Sequence, residues 1–423
     1  MIDNARILIL GSGGREHAFA WYLGNDSNVD KVYCSPGNGG TVDIAENINL
    51  DVSTHQAVIE FVKSNNIDLT IVGPEAPLAD GIVDSFHNEG LAIFGPDKYA
   101  SQLESSKLFA RDMMAKYNIP SPKYYACKKR EEAELVKVKL ELPLVLKADG
   151  LAAGKGVIIC TTESEYEVGL TTMFDNNAFG DAGAKVSVED CLIGEELSVF
   201  AVCDGHDYVI LNTAQDHKRA FDGDRGPNTG GMGAYSPTPL STDDILIKTK
   251  STIIEPTLKA MQDAGHPFVG FLYVGLMIVD GEPFVIEFNV RMGDPETQVV
   301  LPLLESSLFE LLWNATHGKI KDSDVKISSK TAVSVVLAAD GYPGSYSNGM
   351  EISGLETDSL VFHAGTKKID DKIVTTGGRV LNVVGFGDDL KSAIDDAYAI
   401  VEGVNFNGKF YRKDIGQKGL NRD

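Results

Sequence analysis

A multidomain α/β and α+β protein, opening on a parallel α/β domain and closing on a small β-rich domain, is the fold class that the sequence predicts. Three observations carry the prediction. The 423 residues exceed what one hydrophobic core supports, which gives room for about two to four domains. From Arg6 to about Gly95, short apolar runs (Ile7 to Leu10, Leu69 to Val72, Leu91 to Phe94) alternate with amphipathic stretches, the pattern of parallel strands joined by crossover helices. Beyond about Lys330 the chain turns to strand-forming runs (VSVVLAA, VFHAG, GGRVLNVVGFG), with one helix expected from Asp388 to Val401.

In the first region GSGG, GPE and GPD stand where strands end, and ligands of such sheets bind beyond the carboxyl ends of strands. Gly11, Gly13 and Gly14 begin a dinucleotide fingerprint, but Glu16 occupies its third glycine position. A plain tight turn is one reading. The preferred one is an anion site, with the loop N–H groups and Arg15 facing a phosphate at a helix start. Lys98 to Asn118 then reads as one helix linking domains, because Tyr99, Leu103, Phe109, Met113 and Tyr117 fall near helical spacing and Pro120 stops it.

Two lysines follow. Lys147 ends the apolar strand Leu142 to Leu146, and Lys155 sits in the glycine-rich GLAAGKG before the strand Val157 to Cys160. Such a loop is either a surface hairpin or a phosphate cradle; the P-loop pattern GxxxxGK[ST] is absent. In VSVEDCLIGEELSVF, Glu189 lies at a strand end, and Gly194 turns the chain into a second strand that starts with Glu195 and Glu196.

Asp216 to Pro237 packs five glycines and two prolines among three acids, three fixed cations and an asparagine. Glycine admits positive φ and close backbone approach, and proline stiffens the turns between, so the segment reads as a shaped polar loop; a disordered linker is the alternative. Further on, Asp280-Gly281 between two apolar runs signals a hairpin. Residues two apart on a strand share a face, so Glu287, Asn289 and Arg291 are expected to project together. An edge-strand polar face would look the same. As a site, Glu287 and Asn289 suit Mg²⁺, which takes one or two protein ligands plus substrate phosphates and water, and Arg291 suits bidentate capture of a carboxylate.

Composition excludes other classes. A net charge of −23 argues against nonspecific nucleic-acid binding and against an anionic membrane surface. Five cysteines without CxxC spacing give neither a disulfide framework nor a zinc pattern, which fits a reduced cytoplasm. No signal peptide is expected at the start, and the apolar run Phe268 to Val279 is too short to span a bilayer. Nothing after the last strands reads as a further enzyme, so a single activity is expected. The eight histidines form no HExxH, and His17 and His217 read as packing or hydrogen-bonding residues.

The loop at 216–237 resembles the signature of the phosphoribosylamine-glycine ligase family (glycinamide ribonucleotide synthetases). Further stretches resemble the same family in order: GSGGREHA, SPGNGGT, TIVGPEAPL, KADGLAAGKGV, GFLYVGLM, VIEFNVRMGDPETQ, VFHAGTK and TTGGRVL. The resemblance implies an ATP-grasp domain with a mobile lid, and domains at 1–103, 104–328 (lid about 124–192) and 329–423. It implies ATP with Mg²⁺ or Mn²⁺, and glycine and 5-phosphoribosylamine as substrates, in a monomer or weak dimer. ATP would then meet Lys107, Lys147, Gly154, Lys155, Gly156 and Glu189, with Glu196, or its neighbour Glu195, on the ribose. Gly13, Gly14, Arg15, Asn38 and Glu75 would hold phosphoribosylamine with help from Lys218, and Asp216 and Arg291 would hold glycine. One departure stands out: many ATP-grasp enzymes carry a second metal-binding acid on the preceding strand, and Phe268 to Val279 has none. The Gly377-Gly378-Arg379 stretch is read as a strand turn in preference to a substrate contact. An NAD-dependent dehydrogenase, a nucleotide sensor without turnover and another ATP-grasp ligase are the competing readings.

Overall fold

Five parallel strands in the order β3-β2-β1-β4-β5 build the first domain: β1 (Ala5–Gly11), β2 (Val29–Pro36), β3 (Glu46–Asn47), β4 (Leu69–Val72) and β5 (Ile93–Phe94). They come from a computed structural model that describes residues 2, 4–151, 156–175, 185–355 and 359–421. Strands β1 and β4 are central and almost wholly buried, which is why they read as unbroken apolar runs. The connecting helices are α1 (Gly14–Gly24), α2 (His55–Asn65), α3 (Glu75–Asp80) and α4 (Ile82–Asn88). The strand order reverses between β1 and β4, so the GSGG and GPE turns lie side by side at the switch point.

The single helix expected from Lys98 to Asn118 is instead two, α5 (Gln102–Ser105) and α6 (Lys107–Lys116). Ser106 is extended (φ −133°), and its hydroxyl accepts the Phe109 N–H at 3.2 Å, capping α6. A serine cap overrides hydrophobic spacing that runs on through it.

An antiparallel sheet in the order β6-β9-β7-β8 follows, from β6 (Tyr124–Cys127), β7 (Leu144–Ala148), β8 (Val157–Cys160) and β9 (Val186–Asp190). Helices α7 (Arg130–Val136) and α8 (Glu163–Leu170) join it around a separate small core that includes Leu144, Leu146, Tyr166 and Val188. Strand β7 runs past Leu146, so Lys147 lies within it and not beyond it. The central sheet, β11-β10-β16-β17, comprises β10 (Glu195–Asp204), β11 (Tyr208–Ile210), β16 (Val269–Val279) and β17 (Glu282–Asn289). Asp280 (φ 51°) and Gly281 (φ 78°) make the expected two-residue turn. The register slips where Gly275 faces Glu287 and Leu276 faces Val285, leaving Ile286 as a bulge.

The segment 216–237 is not a loop throughout. It holds β13 (Arg219–Phe221) paired with β14 (Arg225–Asn228), and its ends, β12 (Gln215–Asp216) and β15 (Gly233–Ser236), are strands of the last sheet. That sheet runs β12-β15-β18-β22-β19 through β18 (Thr331–Ala339), β19 (Leu360–His363) and β22 (Arg379–Gly387). A hairpin of β20 (Thr366–Ile369) and β21 (Lys372–Thr375) and the short β23 (Lys409–Phe410) complete the region. The last long helix spans Leu390–Gly403, two residues later than expected at each end, because the Asp389 side chain caps it. One buried cluster joins Ile7, Ile9 and Phe19 of the first domain to Phe271, Val299 and Phe309 of the next, so these two regions share a core.

Candidate active site

Strand β17 carries Glu287 to the crevice. Its side chain is 42% exposed and lies 3.5 Å from the Lys218 ammonium, which also binds the Glu196 carboxylate at 2.7 Å. Lys218 first, against the cost of burial, and then Lys147, Arg291 and Lys107 hold the Glu287 carboxyl below the usual range, so it is ionised at neutral pH. Glu196, Lys218 and Glu287, which the sequence reading gave to the ribose, to phosphoribosylamine and to the metal, come from three separate stretches of chain and meet here. Glu196, and not Glu195, is the residue whose carboxylate reaches Lys218.

Glu287 and Asn289, two apart on β17 with no register slip between them, share a face. Strand β17 ends at Asn289, so Arg291 leaves the expected ladder: its guanidinium meets Glu104 at 2.7 Å and Glu75 at 3.4 Å. The expected shared face thus holds for Glu287 and Asn289, while Arg291 lies past the end of the strand. The Arg291 charge nonetheless helps to keep the Glu287 carboxyl ionised. The 3.4 Å contact to Glu75 is made by the buried Nε of Arg291, which forms no well-aligned hydrogen bond and so can exchange this acceptor for another. Among the described residues no three acid, His or Cys side chains form a ready metal cage. The donor set of one ionised carboxylate and one amide fits Mg²⁺ completed by substrate phosphates and water.

A second ionic group lies beneath. Glu189 (1% exposed) takes two hydrogen bonds from Arg111, at 2.9 and 2.7 Å, and contacts Lys147 at 3.0 Å. Burial would raise its carboxyl, but Lys147 and Arg111 outweigh that and hold it at about 2. With the Ser187 hydroxyl also donating at 2.9 Å, Glu189 is fully engaged inside the protein. Lys147 donates to Ile286 O at 2.9 Å, and Lys107 donates to Gly150 O at 2.8 Å. Burial lowers both lysines. Gly156 opens the approach to β8, while Gly154 and Lys155 lie outside the described residues.

Asp216 on β12 is buried, and burial, with Glu196 and Glu287 adding, raises its carboxyl to about 6 against the pull of Lys218. Glu296, which the sequence reading left without a role, is buried too. Burial and then Asp216 push it to about 8. Two carboxyls lifted toward neutrality in one cleft mark a site that favours cationic groups or shared protons. The surest sequence signal for Glu296 was its place in the GDPETQ turn.

The GSGG loop is closed by its own neighbours. The Gly13 N–H donates to Glu16 Oε2 at 2.5 Å, and Arg15 donates to Glu16 Oε1 at 2.6 Å and to Met292 O at 3.0 Å. The carboxylate of Glu16 fills the space where a Cβ on Gly11 or Gly73 would lie, and Gly14 sits against Asn382 and Gln298. In this structure the acceptor at the start of α1 is Glu16. Asn38 donates to Ser12 O at 3.0 Å and to His363 O at 2.7 Å, tying the loop to β19. Arg379 donates to Gly230 O at 2.7 Å and Asp294 O at 2.6 Å, so the Gly377-Gly378-Arg379 turn fastens the glycine-rich segment to the GDPETQ turn. His17 is buried and accepts the His363 N–H at 2.7 Å, while His217 is buried with neither ring nitrogen partnered. A separate cleft of about 620 Å³, lined by Lys98, Tyr99, Gln102 and His266, contains none of the candidate residues.

Comparison with known proteins supplies the substrate chemistry that geometry leaves open. Sequence models of phosphoribosylglycinamide synthetase match in order: the N domain over residues 5–104, the ATP-grasp (A) domain over 105–297 and the C domain over 332–418. The phosphoribosylamine–glycine ligase of Neisseria meningitidis serogroup B is 48% identical, covering 99% of this chain and 100% of its own. The crystal structure of the enzyme of that name from Thermotoga maritima superposes with a TM-score of 0.85 at 37% identity, covering 97% of this chain and 100% of its own. A biotin carboxylase domain of Hydrogenobacter thermophilus 2-oxoglutarate carboxylase, solved with MgADP and bicarbonate, shares the fold at a TM-score of 0.74 and 14% identity, with 96% and 91% of the two chains covered.

Proposed function

The chain belongs to the phosphoribosylglycinamide synthetase family, and from that premise we propose that this site joins glycine to 5-phosphoribosylamine at the expense of ATP. It is an ATP-grasp ligase, and its products are glycinamide ribonucleotide, ADP and phosphate, in purine biosynthesis. The observation that carries the site assignment is the meeting of Lys218, Glu196 and Glu287 at the end of β17, beside Asp216 and Arg291.

Amide formation from a free carboxylate is uphill in water, so the carboxylate needs a better leaving group. A glycine carboxylate oxygen attacks the γ-phosphorus, ADP departs, and glycyl phosphate forms. The amine nitrogen then attacks the acyl carbon, phosphate leaves and the nitrogen sheds a proton. Arg291, whose Nε faces the Glu75 carboxylate at 3.4 Å without a well-aligned hydrogen bond, orients the glycine carboxylate. Asp216 faces the glycine amino group, and the ionised form it needs is present above about 6. Lys107, Lys147 and Lys218 offset charge on the phosphoryl oxygens during transfer, which depends mostly on position and charge. Glu287 and Asn289 would hold Mg²⁺ or Mn²⁺, which supplies further neutralisation of the phosphates.

Glu196 is the group for the ATP ribose, and Glu189 acts one step back by holding Lys147 in place. Arg15, Asn38 and Glu75, with Gly13 and Gly14, take phosphoribosylamine only after Glu16 or Glu75 exchanges partners with substrate. No helix among the described residues is long and apolar enough to cross a membrane. The test is steady-state ADP release with glycine and phosphoribosylamine omitted in turn. ADP release that needs glycine supports the reading. Release that continues without glycine, or that requires bicarbonate, contradicts it.

A further inference from the structure

We infer that Glu104 is the positioning residue that sets both the metal-facing amide of Asn289 and the carboxylate-facing guanidinium of Arg291. Glu104 lies on α5, in the stretch that the sequence marked only as a linking helix, and its side chain is only 7% exposed. One oxygen, Oε2, accepts the backbone N–H of Val290 at 2.8 Å. The other, Oε1, accepts from Arg291 at 2.7 Å. The Asn289 amide follows from its surroundings: one orientation sets its oxygen against acceptors alone and its nitrogen against donors alone, while the other lets the nitrogen donate to Glu104 Oε1 at 3.0 Å and Phe288 O at 3.3 Å. The second orientation holds.

The consequence is chemical. An amide binds a hard cation only through oxygen, and its two ends differ by little in shape, so something must choose which end faces the site. Glu104 chooses by accepting the nitrogen. The same carboxylate fixes Arg291 two residues on, and it reaches the backbone between them. One side chain thus sets the angle between a metal ligand and a substrate clamp where β17 has ended and no ladder holds the chain.

The inference rests on Glu287 and Asn289 as the metal pair, and the experiment separates the two claims. Mn²⁺ affinity is read by electron paramagnetic resonance on the full chain with a non-hydrolysable ATP analogue, beside glycine KM and circular dichroism. Glu104→Gln is expected to weaken Mn²⁺ about tenfold to a hundredfold, the usual effect of losing an outer-shell partner, and to raise glycine KM. Asn289→Asp alone sets two carboxylates against each other and is expected to weaken Mn²⁺ as well. The double variant Glu104→Gln/Asn289→Asp reverses the polarity of the hydrogen bond, so Mn²⁺ affinity returns toward wild type, while glycine KM stays high because Arg291 still lacks its acceptor. That split is not what a merely structural residue gives. Glu104→Asp, which keeps the charge but draws it back by one methylene, serves if Glu104→Gln does not fold, and is expected to weaken Mn²⁺ in the same direction. Unchanged Mn²⁺ affinity in the folded Glu104 variant, or losses that simply add in the double variant, overturns the inference while Glu287→Gln still loses the metal. Mn²⁺ binding that survives Glu287→Gln overturns the metal assignment, and the inference with it.

Discussion

Two ion networks, Arg111–Glu189–Lys147 in the small sheet, where two cations share one carboxylate, and Lys218–Glu196–Glu287 at the crevice, where one cation joins two, differ in access to water. In the first, the side chains are 3%, 1% and 11% exposed; in the second, 30%, 40% and 42%. A buried charge that loses its partner keeps its desolvation cost, so the first network resists exchange. A half-open pair is worth little and trades partners readily. Sequence motifs alone place Glu189 and Glu287 on equal terms as site acids. Exposure separates the two glutamates: Glu189 is closed off among its partners, and Glu287 is open to a ligand.

Four measurements break or sharpen this contrast. Glu189→Ala strands Arg111 and Lys147 and should cost about 3–5 kcal/mol of unfolding free energy in denaturant titration; a cost under about 1 kcal/mol would move Glu189 into the exchangeable class. Arg291→Ala should raise glycine KM by tenfold to a hundredfold, about 1.4–2.8 kcal/mol, and change kcat less. An unchanged glycine dependence assigns the carboxylate elsewhere. Glu296 is lifted to about 8 from an ordinary 4.5, so between those values the native chain binds a proton that the unfolded chain has lost. Its stability therefore falls as pH rises through that window, by at most about 1.4 kcal/mol per pH unit. Glu296→Gln should flatten the slope, and an unaltered slope removes the claim. Smallest is Ser106→Ala, about 1 kcal/mol for a lost helix cap, read from the thermal midpoint.

The parallel sheet, the Asp280-Gly281 hairpin and the residues around Glu287 were legible because strand runs and turn chemistry are local signals. What escaped was set by distant partners. Strands β12 and β15, of two and four residues, are too short to announce that they pair toward β18. Arg291 was placed by period-2 alternation, which fails once β17 ends. Glu16 had been noted only as a broken fingerprint, yet its carboxylate is what the α1 turn encloses. Glu104 sat in a stretch that looked like uninterrupted helix, and only the contacts made by Val290 and Arg291 reveal its part.

The most direct test of the contrast is Glu287→Gln, with turnover and unfolding free energy measured on the same preparation. The account predicts ADP release reduced by about a hundredfold or more at saturating Mg²⁺, with stability changed by less than about 1 kcal/mol. Retained turnover, or a collapse of stability like that expected for Glu189→Ala, would show that the half-open network is not where the chemistry is done.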